Sequence, residues 1–267
     1  MVREMSEHIL SEVTDGVLRI EISRRGKKNS LTQGMYAALS DALDQAGNND
    51  AVRVVLLRGQ DDLFTAGNDL QDFLSRKSNE PSEAVRFMHA IAAFAKPLVA
   101  AVAGNAIGIG TTMLLHCDLV YAANNARFQL PFVPLGLCPE AGSSLLLPRF
   151  AGHQRAAELL FFGEPFDADQ AHEIGLVNAI HAPQDLLSYA ETRARKLASL
   201  PQASLAATKA LMKSASAPLV AETMQAELLH FNELVAAPVA KEIFAAFLEK
   251  RAPDFSAIAA RHGVSFG

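Results

Sequence analysis

The sequence predicts an α/β protein with mainly parallel strand pairing. Short, nearly continuous apolar runs such as Val52–Leu57 and Leu98–Ala103 have the pattern of strands covered on both faces. Helical stretches fall between them, and this alternation favours strand–helix–strand units. After about residue 150 the strand signals mostly disappear and proline-punctuated helices take over, which predicts a helical C-terminal region.

Taken in order, Val17–Ile22 (VLRIEI) alternates apolar and charged residues, as a half-buried strand does. Val52–Leu57 and Leu98–Ala103 follow as buried strands, with Leu119–Ala122 (LVYA) as a fourth. Helices are expected over 33–47, 81–95 and 110–117, then over 153–161, 168–174, 184–200, 202–215 and 219–250. Pro165, Pro183, Pro201, Pro218 and Pro238 break the later ones. Val239, Ile243 and Phe247 recur at helical spacing, a stripe to bury against the core and another subunit. The chain is thus divided into a core over 1–200 and a helical region over 201–267.

Half of the 267 residues are hydrophobic, enough for one large core without staples. The formal charge of −5 argues against a nucleic-acid surface. Cys117 and Cys138 sit in apolar runs with no metal or redox spacing and read as small buried thiols. No apolar run approaches the ~20 residues of a membrane span. The start, MVREMSEHIL, lacks a signal-peptide core, and the end, SFG, is not a peroxisomal address. A soluble cytoplasmic protein is expected.

Two glycine junctions stand out. Ala103–Asp118 (AGNAIGIGTTMLLHCD) follows a strand and opens a helix, but its Gly104, Gly108 and Gly110 are spaced GxxxGxG, not as a dinucleotide loop. Such glycines bare the backbone, and N–H groups at a helix start point outward to receive an anion. Leu63–Phe73 (LFTAGNDLQDF) is the second junction, where Asp69 and Asn68 read as helix caps. His116 and His172 have no second ligand at helical spacing, so no metal is expected. Ser143 and Ser144 lack a nucleophile elbow and read as supports for a helix start. Lys27 and Lys28 form a small basic loop, either solvated or in contact with a phosphate.

Glu140 is the charged residue of Leu135–Pro148 (LGLCPEAGSSLLLP), among leucines. An acid in a first helical turn is ordinary, and Pro139 and Pro148 would start and stop that helix. A capping acid normally sits on a polar surface, however, and an acid in an apolar cleft is a candidate base.

Together, KKNSLT (27–32), FTAGNDL (64–70), KPLVAAVAGNAIGIG (96–110), CDLVYA (117–122), LGLCPEAGSS (135–144), GLV (175–177) and FLEKRAPDFS (247–256) resemble the crotonase, or enoyl-CoA hydratase/isomerase, superfamily. The resemblance implies a crotonase-like spiral of ββα units, a helical C-terminal region for trimerisation, and an acyl-coenzyme A thioester as ligand, with no separate cofactor. It implies an oxyanion hole from the backbone N–H groups of Ala66 and Ile109, with the Ile109 side chain turned away. Ala66, Gly67, Asn68, Asp69 and Leu70 would line the coenzyme A, with Gly108, Phe132 and Lys28. Lys250 would approach its 3′-phosphate, from a neighbouring subunit of a homotrimer or dimer of trimers. The two glutamates of the hydratases are replaced by Thr112 and Phe132. Hydration needs two such groups, whereas one carboxylate suffices for a proton shuttle. GNDL and PE-x-x-SS resemble the Δ3,Δ2-enoyl-CoA isomerase branch, with Glu140 as catalytic base. A divergent hydratase or hydrolase using Thr112, and a catalytically silent acyl-CoA-binding protein, are the competing readings.

Overall fold

The structure is a computed structural model that describes residues 3–6, 8–60, 62–75 and 82–256. The terminal SFG, the last part of 201–267, position 81 of the expected 81–95 helix and three of the first ten residues lie outside the described residues. The strands run β1 Arg3–Ser6, β2 Ile9–Thr14, β3 Val17–Ile22, β4 Val54–Arg58, β5 Leu63–Thr65 and β6 Leu98–Val102. They continue with β7 Asn105–Ile107, β8 Leu119–Ala123, β9 Arg127–Gln129, β10 Phe166–Asp167 and β11 Ala179–His181. The helices are α1 Gln33–Gly47, α2 Leu70–Ser75, α3 Glu83–Ala93, α4 Ile109–Thr112, α5 Ser143–Ala151 and α6 His153–Phe162. Then come α7 Ala168–Glu173, α8 Pro183–Ser199, α9 Gln202–Ser214, α10 Ala217–Ala236 and α11 Pro238–Glu249.

The strands form two sheets, ordered β1-β2-β3-β4-β6-β8-β11 and β10-β9-β7-β5. The pairs β4/β5, β6/β7 and β8/β9 each send the first strand to the large sheet and the second to the small one. Within each sheet these neighbours are parallel. The chain therefore advances as a spiral. Its corner at Gly104 has φ +62, and a Cβ there would collide with the Asp62 carbonyl. Every residue of β6 is buried, as a strand covered on both faces requires. One face packs on the main core with α1 and α3. The other packs on α8 through Leu186, Ala190, Ala194 and Ala198.

Several elements differ from expectation. The helix expected over 110–117 is one short α turn, α4, followed by a 3-10 turn over Met113–His116. The helix expected over 219–250 breaks at Ala237, extended at φ −69 and ψ 150, because Pro238 opens the next helix. Pro148 lies inside α5 rather than stopping it, and Pro139 and Glu140 precede the helix. Cys117 and Cys138 are free but only partly buried. The buried residue of α9 is Lys209, whose Nζ donates to the Lys96 carbonyl and Asp118 Oδ2, each at 2.7 Å. Among the described residues no helix is long and apolar enough to cross a membrane.

Candidate active site

The site begins with Asn29, fully buried and left-handed at φ +55. Its Nδ2 donates to the carbonyls of Ile22 and Phe64 at 3.0 Å, and its own carbonyl accepts the Thr65 hydroxyl at 2.6 Å. These bonds pin the KKNS loop between the ends of β3 and β5. In that position the Lys28 carbonyl accepts the Ala66 N–H at 3.0 Å. Ala66 is therefore not the free donor expected of it.

The free N–H at this junction belongs to Asn68. Leu31 donates to the Gly67 carbonyl at 2.8 Å and accepts from Asp69 at 2.9 Å. Between those bonds, no described residue accepts the Asn68 N–H. Gly67 has φ +85, and a Cβ on it would lie 2.7 Å from the Ile107 carbonyl, so the two glycine junctions touch backbone to backbone. At the second junction Gly108, at φ +58, precedes α4, and its carbonyl accepts from Thr111 and Thr112. Ile109 opens the helix with an N–H that no described residue accepts, as helix starts do. Its side chain is buried in the core, and the residue is not among those lining the adjacent cavity.

These junctions border a cavity of about 580 Å³. Lys28, Ala66–Leu70, Gly108, Phe132 and Glu140 all line it, so most of the expected contacts converge. Phe231 from α10 and Phe244 and Phe247 from α11 cover it, which the C-terminal helices make possible. Lys250 does not line it; that residue is the exposed left-handed cap of α11. Asp69 caps α2 through the N–H groups of Gln71 and Asp72 and pairs with Arg24 at 2.6 Å. A smaller pocket of about 50 Å³ adjoins, sharing Asn68, Glu140 and Phe231 and lined by Val85, Met88 and Met224.

Glu140 is 9 % exposed, and its Oε1 accepts no hydrogen bond from any described residue. Burial, and then the charge of Glu227, push its pKa up to about 8. The same surroundings push Tyr36 well above the usual phenol value, through burial first and then the charges of Glu140 and Asp72. Thr112 is fully buried and does not line the cavity, and Phe132 carries no acid there. Among the described residues no cluster of three His, Cys, Asp or Glu is arranged to hold a metal.

Sequence reasoning missed Asn29, Tyr36, His116 in its actual role, and Glu227. His116 Nε2 donates to the Ala141 carbonyl at 2.7 Å, and burial lowers its pKa to about 4, so the ring is neutral. Glu227 had one legible signal: it stands on the buried stripe of α10 with Val220, Met224 and Phe231.

A spiral α/β scaffold thus brings the two glycine junctions, through Asn68 and Gly108, to the same cavity as Glu140, a buried acid with one oxygen that no described residue bonds. The chain belongs to the enoyl-CoA hydratase/isomerase family, whose model matches residues 12–257. It is 36% identical over 255 residues to the 2,3-dehydroadipyl-CoA hydratase of Escherichia coli K12, covering 94% of this chain and 99% of that one. It is also 36% identical over 215 residues to enoyl-CoA delta isomerase 2 of Rattus norvegicus, covering 78% of this chain and 55% of the relative. The crystal structure of an enoyl-CoA hydratase/isomerase from Pseudoalteromonas atlantica T6c superposes with TM-score 0.89 at 41% identity, over 94% of this chain and 100% of that one. The fold is the crotonase-like spiral, and the family's members are enzymes.

Proposed function

We propose that this protein moves a double bond of an enoyl-CoA from the 3- to the 2-position. The observation that carries the reading is Glu140, a single basic carboxylate with a free oxygen in the cavity that the Asn68 and Ile109 junctions border. The thioester carbonyl accepts hydrogen bonds from those two N–H groups. Glu140 removes a proton from C2, and the charge of the resulting dienolate gathers on the thioester oxygen. Donors fixed there act where charge develops, each worth roughly 3 kcal/mol in the transition state. Protonated Glu140 then delivers the proton to C4.

Hydration would need a second group to activate water, and Thr112 is shut in the core while Phe132 is apolar. Lys28 supplies positive charge at the cavity for the coenzyme A phosphates. Lys250 would serve only a neighbouring copy, and coenzyme A enters as part of the substrate rather than as a cofactor. Exposed Phe161 and Phe162 on α6 and Leu211 and Met212 on α9 suit burial between copies, in the homotrimer or dimer of trimers that the region from 201 onward would build. The reading is tested by offering 3-enoyl-CoA and 2-enoyl-CoA separately. Conjugation of the first without hydration of the second supports it; hydration, or no reaction with either, contradicts it.

A further inference from the structure

The carboxylate of Glu227 reaches from α10 to the turn that carries Glu140. Its Oε2 accepts the Gly142 N–H at 2.6 Å, and its Oε1 accepts the Ser144 N–H at 2.9 Å and the Ser144 hydroxyl at 2.5 Å. The two N–H groups are donors that a helix start ordinarily offers to an acid just ahead of it. Glu140 stands just before Ser143, the first residue of α5, yet takes neither. The cap comes from another helix instead. On the far side of the turn His116 holds the Ala141 carbonyl. Ala141 and Gly142 follow each other at φ +58 and +72, a conformation an alanine adopts only when its surroundings hold it.

We infer that Glu227 is a positioning residue for the proton transfer: by occupying the donors at the start of α5, it keeps the Glu140 carboxylate unbonded and turned into the cavity. The inference rests on the proposed function for what Glu140 does, not for where Glu140 points. Without Glu227, the N–H groups of Gly142 and Ser144 become available to Glu140, which folds back onto its own helix start and loses basicity. The titratable groups around Glu140 include Tyr36 on α1, Cys138 on its own loop, Glu227 on α10, the neutral His116 behind the turn and His89 on α3, at the smaller pocket. Burial first, and then the acids beside them, push Tyr36 and Cys138 upward, so both stay neutral at pH 7. Glu227 is thus the neighbouring charge that lifts Glu140 beyond what burial does.

Glu227→Gln keeps the volume and replaces an acceptor oxygen with a donor amide. The Glu140 carboxyl is followed by NMR titration of carboxyl-labelled protein, alongside kcat and KM for 3-enoyl-CoA. Glu140 is expected to titrate roughly one pH unit or more lower, and kcat to fall about 10- to 100-fold at nearly unchanged KM. An unmoved Glu140 titration in the folded variant overturns the inference, as does a rise in KM with kcat intact. Ser144→Ala, which removes one of the three bonds, serves if Glu227→Gln does not fold. It should lower kcat a few-fold at constant KM, and a kcat equal to wild type overturns the inference. Should the wild-type protein fail to isomerise 3-enoyl-CoA, the titration still decides the role of Glu227, so the two failures are distinguishable.

Discussion

The Tyr36 hydroxyl donates to Oδ1 of Asn68 at 2.5 Å, tying the loop with the free N–H to the buried face of α1. Tyr36 is 1 % exposed and its ring packs on Phe87 at 5.7 Å, so the anchor itself cannot drift. Tyr36→Phe keeps the ring and strands the Asn68 oxygen. The expected cost is about 1–3 kcal/mol in unfolding free energy, with kcat reduced several-fold and KM nearly constant. Denaturant unfolding and steady-state kinetics on the one variant check both.

Glu140 makes stability depend on pH with a definite sign. Its pKa is about 8 in the folded protein against 4.5 ordinarily, so the unfolded chain releases this proton first. The folded state then loses stability as pH rises through that window, at up to ~1.4 kcal/mol per pH unit. Glu140→Gln removes this slope. The variant should be more stable than wild type at pH 8, with the gap closing towards pH 4.5. Unfolding midpoints measured across that range test it, and parallel curves for the two proteins would contradict it.

On the proposed mechanism the same pKa governs turnover. A base must be deprotonated, so kcat/KM for 3-enoyl-CoA should climb with pH and level off near the Glu140 value of about 8. A pH–rate profile with a plateau already reached at pH 6 would be inconsistent with the buried, unpartnered carboxylate.

Gly67→Ala addresses the contact between the glycine junctions. At φ +85 an alanine is strained, and its Cβ would stand 2.7 Å from the Ile107 carbonyl, a backbone atom that cannot swing aside. The substitution should destabilise the protein by more than ~1 kcal/mol and spread the Asn68 and Ile109 donors apart. Turnover should then fall more than substrate affinity does. Thermal unfolding with kinetics on the variant tests both effects.

Legibility in the sequence followed burial and length. Val54–Arg58 and Leu98–Val102 announce themselves because strands buried on both faces read as apolar runs. Strands β5, β7 and β9 have three residues each, too few to show a period, and exist because neighbours pair with them. Glu140 is legible because an isolated acid among leucines is costly unless used. That the Ala66 N–H is bonded while the Asn68 N–H is not has a reason that lies outside the local sequence. Which N–H of a glycine turn stays free depends on the Lys28 carbonyl, brought there by Asn29. Glu227 leaves a faint trace as an acid on an apolar stripe, but its partners Gly142 and Ser144 are distant in the chain.

The central claim is that one carboxylate carries a proton from C2 to C4. It is tested most directly by giving wild type and Glu140→Gln a 3-enoyl-CoA labelled with deuterium at C2 and following both the conjugated product and the position of the label. Wild type should yield 2-enoyl-CoA with part of the label at C4, whereas Glu140→Gln should bind acyl-CoA yet convert it ~10²–10⁴-fold more slowly. Full activity in Glu140→Gln, or a hydrated product from wild type, would contradict the account.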